Sequence, residues 1–206
     1  MKKQSGFTLV EIAIVLVIIG LLLGGVLKGQ ELITQAKIKN IANDLNGMSA
    51  AVYAYQDRYK KFPGDDDGAG RWSGASTGGG DASVGTLSVA AASACSSGTT
   101  GENCLFWNHL RRSGLIGGDA TSNESPQNAV GGFLHVQNGA MGLSGLVVCT
   151  TNLLGKIAGA IDAQFDDGKT NTGTVRGAKA LATDTADAGP AYADDGATVY
   201  TVCKAL

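Results

Sequence analysis

At 206 residues the chain has room for one domain of ordinary size plus an appendage, and not for two large domains. A formal net charge of −2 provides no global basic field, so nucleic acid is not an expected partner. With 31 glycines against 3 prolines, neither a collagen-like repeat nor a proline-rich linker fits.

The first predicted element is an apolar helix. From Phe7 to Leu27 the only charged residue is Glu11, and a helix of that length spans a hydrocarbon core of about 30 Å. Lys2 and Lys3 precede it, which favours a cytoplasmic start and places everything after Leu27 outside. A secretory signal peptide would have an apolar core of roughly 7 to 15 residues and then a cleavage site of small residues. This run is longer, and it continues directly into an amphipathic helix. Ile41, Leu45, Met48, Val52, Tyr55, Tyr59 and Phe62 recur at alternating spacings of four and three, a stripe along one helical face. No proline intervenes before Pro63, so one helix is predicted from about Phe7 to Lys61, roughly 80 Å long. Its second half is expected to bury the stripe beneath the chain's own domain. The opposite face lacks the regular complementary charges of a two-stranded coiled coil.

Glu11 is the oddity of the apolar run. Thr8 and Glu11 have the spacing of a capping box, which satisfies free backbone N–H groups at a helix start. A glutamine would serve the same purpose without placing a charge in an apolar zone, where it costs up to about 2.5–3.5 kcal/mol at the centre and less near the interface.

The stretch "KKQSGFTLVEIAIVLVIIGLLLGGVL" resembles the class III leader and first helix of type IV prepilins and pseudopilins. The resemblance covers about the first quarter of the chain. It implies that residues 1–6 are a leader, removed by a prepilin peptidase between Gly6 and Phe7, and that the new Phe7 amine is N-methylated. It further implies a transmembrane and filament-core helix over 7–27, an amphipathic continuation over 28–62 and an exported α+β domain over 63–206. A free α-amino group is largely protonated at neutral pH, and it would begin one helical turn before Glu11. At 4 Å and an effective dielectric near 20 the pair attracts by about 4 kcal/mol before desolvation. The expected assembly contact is therefore Phe7 of one copy with Glu11 of a staggered neighbour. Gly20 and Gly24, and again Gly25 and Gly29, form G-x-x-x-G pairs that permit close helix packing or local melting. Many pilins carry a proline just beyond this region, where this chain has Lys28.

The function implied is that of a non-enzymatic structural subunit of a type IV pilus or pilus-like filament. Its partners would be further copies in a homo-oligomeric helical filament, the prepilin peptidase and an inner-membrane assembly platform. The precursor would reside in the bacterial inner membrane and the assembled product outside the cell. The alternatives are a pseudopilin of a type II secretion system and a minor adhesin or DNA-uptake module carried on a filament.

After "KKFPGDDDGAGRW" the composition shifts to Gly, Ser, Thr, Ala and Asp. Four cysteines, Cys95, Cys104, Cys149 and Cys203, point to disulfides in an oxidising compartment. Three pairings are open; Cys95 with Cys104 and Cys149 with Cys203 is favoured. Zinc is disfavoured because no C-x-x-C occurs and His109 and His135 lack ligand spacing. "CLFWNHLRRSGLIGG" predicts a short helix that buries Leu105, Trp107, Leu110 and Leu115 and stops near Gly114. "NLLGKIAGAIDAQFDDG" predicts another, capped by Asn152, with Leu154, Ile157, Ile161 and Phe165 on one face. Strands are predicted in "GFLHV", "GLVVCTT" and "ATVYTVC", forming an antiparallel sheet against the helix stripe, an α+β arrangement. No cofactor is expected. Calcium is the one candidate ligand, at Asp65 to Asp67 or at Asp162, Asp166 and Asp167, although neither run has the spacing of an EF-hand loop. His109 and His135 have no nucleophile partner, Ser144 lacks the G-x-S-x-G frame, and Arg111 and Arg112 are expected to be solvated.

Overall fold

The computed structural model describes residues 8–86, 95–96, 98–179, 186, 189 and 191–206. Contacts divide the chain into two compact units, residues 1–37 and 38–206. Helix α1, Leu9–Tyr59, contributes to both.

From residue 12 to residue 27, within the first unit, α1 is apolar on every side. Leu9, Ile14, Leu16, Leu21 and Leu27 are all exposed, and the segment is long and apolar enough to cross a membrane. A helix with no polar face finds its minimum in an apolar surrounding and not in water.

In the second unit the helix becomes two-faced. Ile38, Ile41, Ala42, Leu45, Met48, Ala51, Val52 and Tyr55 are buried, while Asn43, Asn46, Gly47 and Ala54 on the far side are exposed. The predicted stripe is the core face, with Tyr59 and Phe62 packed at its end. Lys60 takes a left-handed φ of 57° and Pro63 follows, so the helix stops there. A 3-10 turn (Ala69–Arg71) leads towards α2 (Glu102–Arg112), β1 (Leu134–Ala140), β2 (Leu143–Leu154), α3 (Gly155–Phe165), β3 (Val175–Lys179) and β4 (Val199–Ala205).

The four strands form one antiparallel sheet in the order β1-β2-β4-β3, giving an α+β fold. Side chains alternate along each strand. Leu134, Val136, Val148, Tyr200 and Val202 join the helix residues Leu45, Trp107 and Ile161 in the main core. Val147, Cys149, Ala178 and Cys203 face the other way and form a smaller cluster with Met141. The central strands β2 and β4 are thus covered on both faces, which fits the apolar run "LVVC" and the run "VYTVC", broken only by the buried Thr201.

Three details differ from the sequence reading. Asn152 does not cap α3: it lies within β2 at a left-handed φ of 62°, in the extra residue by which β2 outruns β4 between Thr150 and Leu153. That bulge turns Leu153 into the core, leaving Leu154 at 38% exposure and off the buried face. β3 escapes sequence reading because "VRGAK" holds one large apolar residue and a central glycine. Gly177 is needed there, since a Cβ would overlap the Tyr192 ring.

Candidate functional site

Gly6 and Phe7, the predicted cleavage junction, lie outside the described residues. The next turn has a formed capping box. The Thr8 N–H and hydroxyl donate to Glu11 Oε2 at 2.8 and 2.7 Å, and the Glu11 N–H donates to Thr8 Oγ1 at 3.3 Å. Both residues are exposed, so nothing among the described residues covers the carboxylate. A Cβ on Gly20, Gly24, Gly25 or Gly29 would meet nothing within 4 Å. No contact among the described residues therefore requires a glycine at these four positions, and their small size bears on helix stiffness or on close approach by another helix.

The exit from α1 is fastened by a polar and aromatic knot. Asp66 is fully buried and accepts from the Tyr55 hydroxyl at 2.6 Å, the Gly68 N–H at 2.8 Å, and two Arg71 nitrogens at 2.7 and 3.2 Å. Burial works against the Asp66 charge, but the bonds from Arg71, Tyr55 and Gly68 outweigh it and hold the carboxyl below its ordinary value. Burial, then the Asp66 bond, pushes the Tyr55 hydroxyl up, so it stays a donor. The Arg71 guanidinium lies over Tyr59 and Trp72, 4.5 and 4.8 Å from their ring centres. His109, also fully buried, stacks beside Tyr55. Its Nδ1 accepts from the Gly64 N–H at 2.9 Å, which makes Nε2 the donor to the Ser76 carbonyl at 2.8 Å. Burial lowers the His109 pKa, and protonating Nδ1 would break the Gly64 bond.

The cysteines pair as Cys95–Cys104 and Cys149–Cys203. The second bond joins residues directly opposite each other on β2 and β4. His135 faces the same side of the sheet, opposite Cys149 on β1. It is buried, and neither ring nitrogen has a hydrogen-bond partner among the described residues. Burial lowers its pKa to about 4.

Arg111 and Arg112 are not simply solvated. Arg111 donates to the Ser122 and Glu124 carbonyls at 2.8 and 2.6 Å. Arg112 donates to Asn108 Oδ1 and to the Ser73 and Gly74 carbonyls. Both tie loops to α2 through backbone groups, which no local pattern announces.

The acidic runs are engaged within the fold. Asp65 accepts from the Asp81 and Ala82 N–H groups at 2.9 and 2.8 Å, and Lys61 pairs with Asp67 at 3.0 Å. Asp162 accepts from the Tyr192 hydroxyl at 2.6 Å and the Gly168 N–H at 2.9 Å, while burial keeps its pKa raised. Asp166 accepts from the Thr174 and Val175 N–H groups, and Asp167 from the Thr172 hydroxyl. Asp65, Asp81 and Glu102 place carboxylate oxygens within 4.8 Å of one another. Two of these three carboxylates are already engaged in the fold: Asp65 accepts from the Asp81 and Ala82 N–H groups and Glu102 from the Gly79 N–H. Ser144 lies in β2 with no acid or base bonded to it among the described residues.

A family model described as the prokaryotic N-terminal methylation motif matches residues 1–27. This is the class III leader signature of type IV pilins, and it supports a pilin-like or pseudopilin-like precursor. No curated protein and no solved structure matches the chain.

Proposed function

We propose that the chain is a structural, non-enzymatic subunit of a type IV pilus or pilus-like filament. A prepilin peptidase removes residues 1–6 by cutting after Gly6, and the Phe7 amine is N-methylated. The segment 7–27 waits in the bacterial inner membrane and then enters the filament core through an inner-membrane assembly platform. The helix continues to Tyr59, and residues 63–206 are carried outside. Glu11 receives the Phe7 amine of an adjacent copy, and the glycines at 20, 24, 25 and 29 let neighbouring helices approach. No cofactor takes part in this reading.

The observation that carries the proposal is the methylation motif over residues 1–27, continued by a helix whose apolar side chains are exposed on every side. Mass spectrometry of sheared extracellular filaments tests it. The expected result is an abundant chain whose first peptide starts at a methylated Phe7. Exported material that retains Met1, or mature chain that stays wholly in the membrane, refutes it.

A further inference from the structure

Two half-buried charges in the second unit lack an opposite charge among the described residues. Asp44, on α1, makes no hydrogen bond or ion pair among the described residues. It stands at the rim of an open groove of about 310 Å³, walled by Met48, Leu115, Ile116, Pro126 and Leu134. Lys204, on β4, donates to Ser49 Oγ at 3.3 Å and rests its ammonium 5.0 Å above the Phe165 ring. No carboxylate lies within ion-pair distance of it among the described residues. Burial disfavours both charges in the isolated chain: it raises the Asp44 pKa and lowers that of Lys204.

Their placement on the fold is complementary. Asp44 and Ser49 are five residues apart on one helix, hence about 140° apart around its axis. The buried stripe of Ile41, Leu45, Met48 and Val52 runs between them. One flank of the helix thus carries an acid beside an apolar groove, and the other carries a lysine beside an aromatic ring. The two flanks cannot meet within one domain, but they match between two copies set side by side. Such a contact uses different surfaces on the two partners, and repeated application gives an open helical polymer or a ring, not a closed dimer.

We infer that the Asp44 groove receives Lys204 of an adjacent copy, its aliphatic stem against Leu115 and Ile116 and its ammonium on the Asp44 carboxylate, as the lateral contact between exported domains. The inference rests on the filament reading and supplies a contact outside the helical core. Each charge gains the partner its own fold withholds, and the apolar walls lose water as the stem enters.

Charge exchange in the full chain, expressed in the native cells, tests the contact. Asp44→Lys and Lys204→Glu are each expected to lower the yield of sheared filaments roughly five- to tenfold, with membrane precursor at the wild-type level. The double variant is expected to recover to near wild type. Singles that assemble normally, or a double variant as poor as the singles, overturn the contact while leaving the filament reading intact. Wild-type chain missing from sheared filaments overturns both. Cross-linking gives a second, independent readout. Chains carrying Asp44→Cys mixed with chains carrying Lys204→Cys should form covalent dimers within filaments when a bifunctional thiol reagent long enough to replace the lysine stem is added, since the two Cα atoms lie too far apart for a direct disulfide, and neither should do so alone. Dimers from Asp44→Cys alone, or none from the mixture, would contradict a heterologous contact.

Discussion

His135 should set the acid limit of the second unit. Its ring is 4% exposed, lies opposite the Cys149–Cys203 bond, and has no hydrogen-bond partner on either nitrogen among the described residues. The fold therefore accepts only the neutral ring: the pKa falls to about 4 from an ordinary 6.5. An unfolded chain takes up this proton near pH 6.5, whereas the folded chain resists until about pH 4. Across that window the unfolded state binds more protons, so stability is complete above pH 6.5 and declines as the pH falls towards 4. At 1.36 kcal/mol per pH unit, the gap amounts to roughly 3 kcal/mol. Urea unfolding of residues 38–206, followed by circular dichroism from pH 7.5 to 4, measures it. Wild type should lose about this much more stability than His135→Leu. The leucine variant should also be more stable at pH 7, by about 1 kcal/mol, because two unsatisfied buried nitrogens are gone. His109 and Asp162 titrate in both proteins, so the difference between the two profiles isolates His135. Parallel profiles would show that the ring is solvated or bonded, and would refute the argument.

Four further outcomes follow from the geometry. Glu11→Gln keeps an acceptor for the Thr8 N–H but no charge; filament yield should fall about as far as with Glu11→Ala, and assembly at the wild-type level would reduce the role of Glu11 to capping. Gly24→Leu puts bulk where the chain itself has open space, so precursor insertion should be unchanged while filament yield drops, as seen by shearing and blotting. Removing the Cys149–Cys203 bond, which spans 54 residues, should cost about 4 kcal/mol, against about 2.6 kcal/mol for Cys95–Cys104, which spans 9; denaturant midpoints of the two alanine pairs rank them. Asp66→Ala strands the buried Tyr55 hydroxyl and unpairs Arg71, for a loss of about 2–3 kcal/mol that thermal unfolding would register; Arg71 is partly exposed, which keeps the figure below that of a fully buried pair.

The parts of this molecule that depend on a local period were legible in the sequence. Spacings of four and three from Ile41 to Phe62 give the core face of α1 because side chains at those spacings share one side of any helix. The runs around Cys149 and Cys203 are apolar without alternation because β2 and β4 are covered on both faces. What a period does not encode could not be read. The bulge at Asn152 re-aims Leu153 through one extra residue, and only the pairing with β4 reveals it. Arg111 and Arg112 look like surface charges until the carbonyls that receive them are placed. Tyr55, Asp66, Arg71 and His109 come together from α1, the turn after it and α2, across gaps that carry no motif. At the N-terminus one pattern supports two roles: Thr8 and Glu11 do form the capping box, and that same exposed carboxylate is the group proposed to meet a neighbour.

The apolar half of α1 limits what can drive assembly. Leu9, Leu16, Leu21 and Leu27 are each more than 60% exposed, and burying one such side chain is worth about 1.5–3 kcal/mol relative to water. Water is therefore not a resting place for this segment. Moving from lipid into a bundle of like helices, however, exchanges one apolar surrounding for another, and the hydrophobic term nearly cancels. The remaining preference must come from close packing at small residues and from polar pairs that lipid leaves unmade. Glu11 is the only charge in that run, so one pairing there weighs heavily against a sum close to zero. Asp44 and Lys204 act outside the apolar helix bundle, half-buried at the domain surface, where a single ion pair contributes little. Their effect accumulates because every copy repeats it, and because a neighbour in the wrong register would set like charge against like.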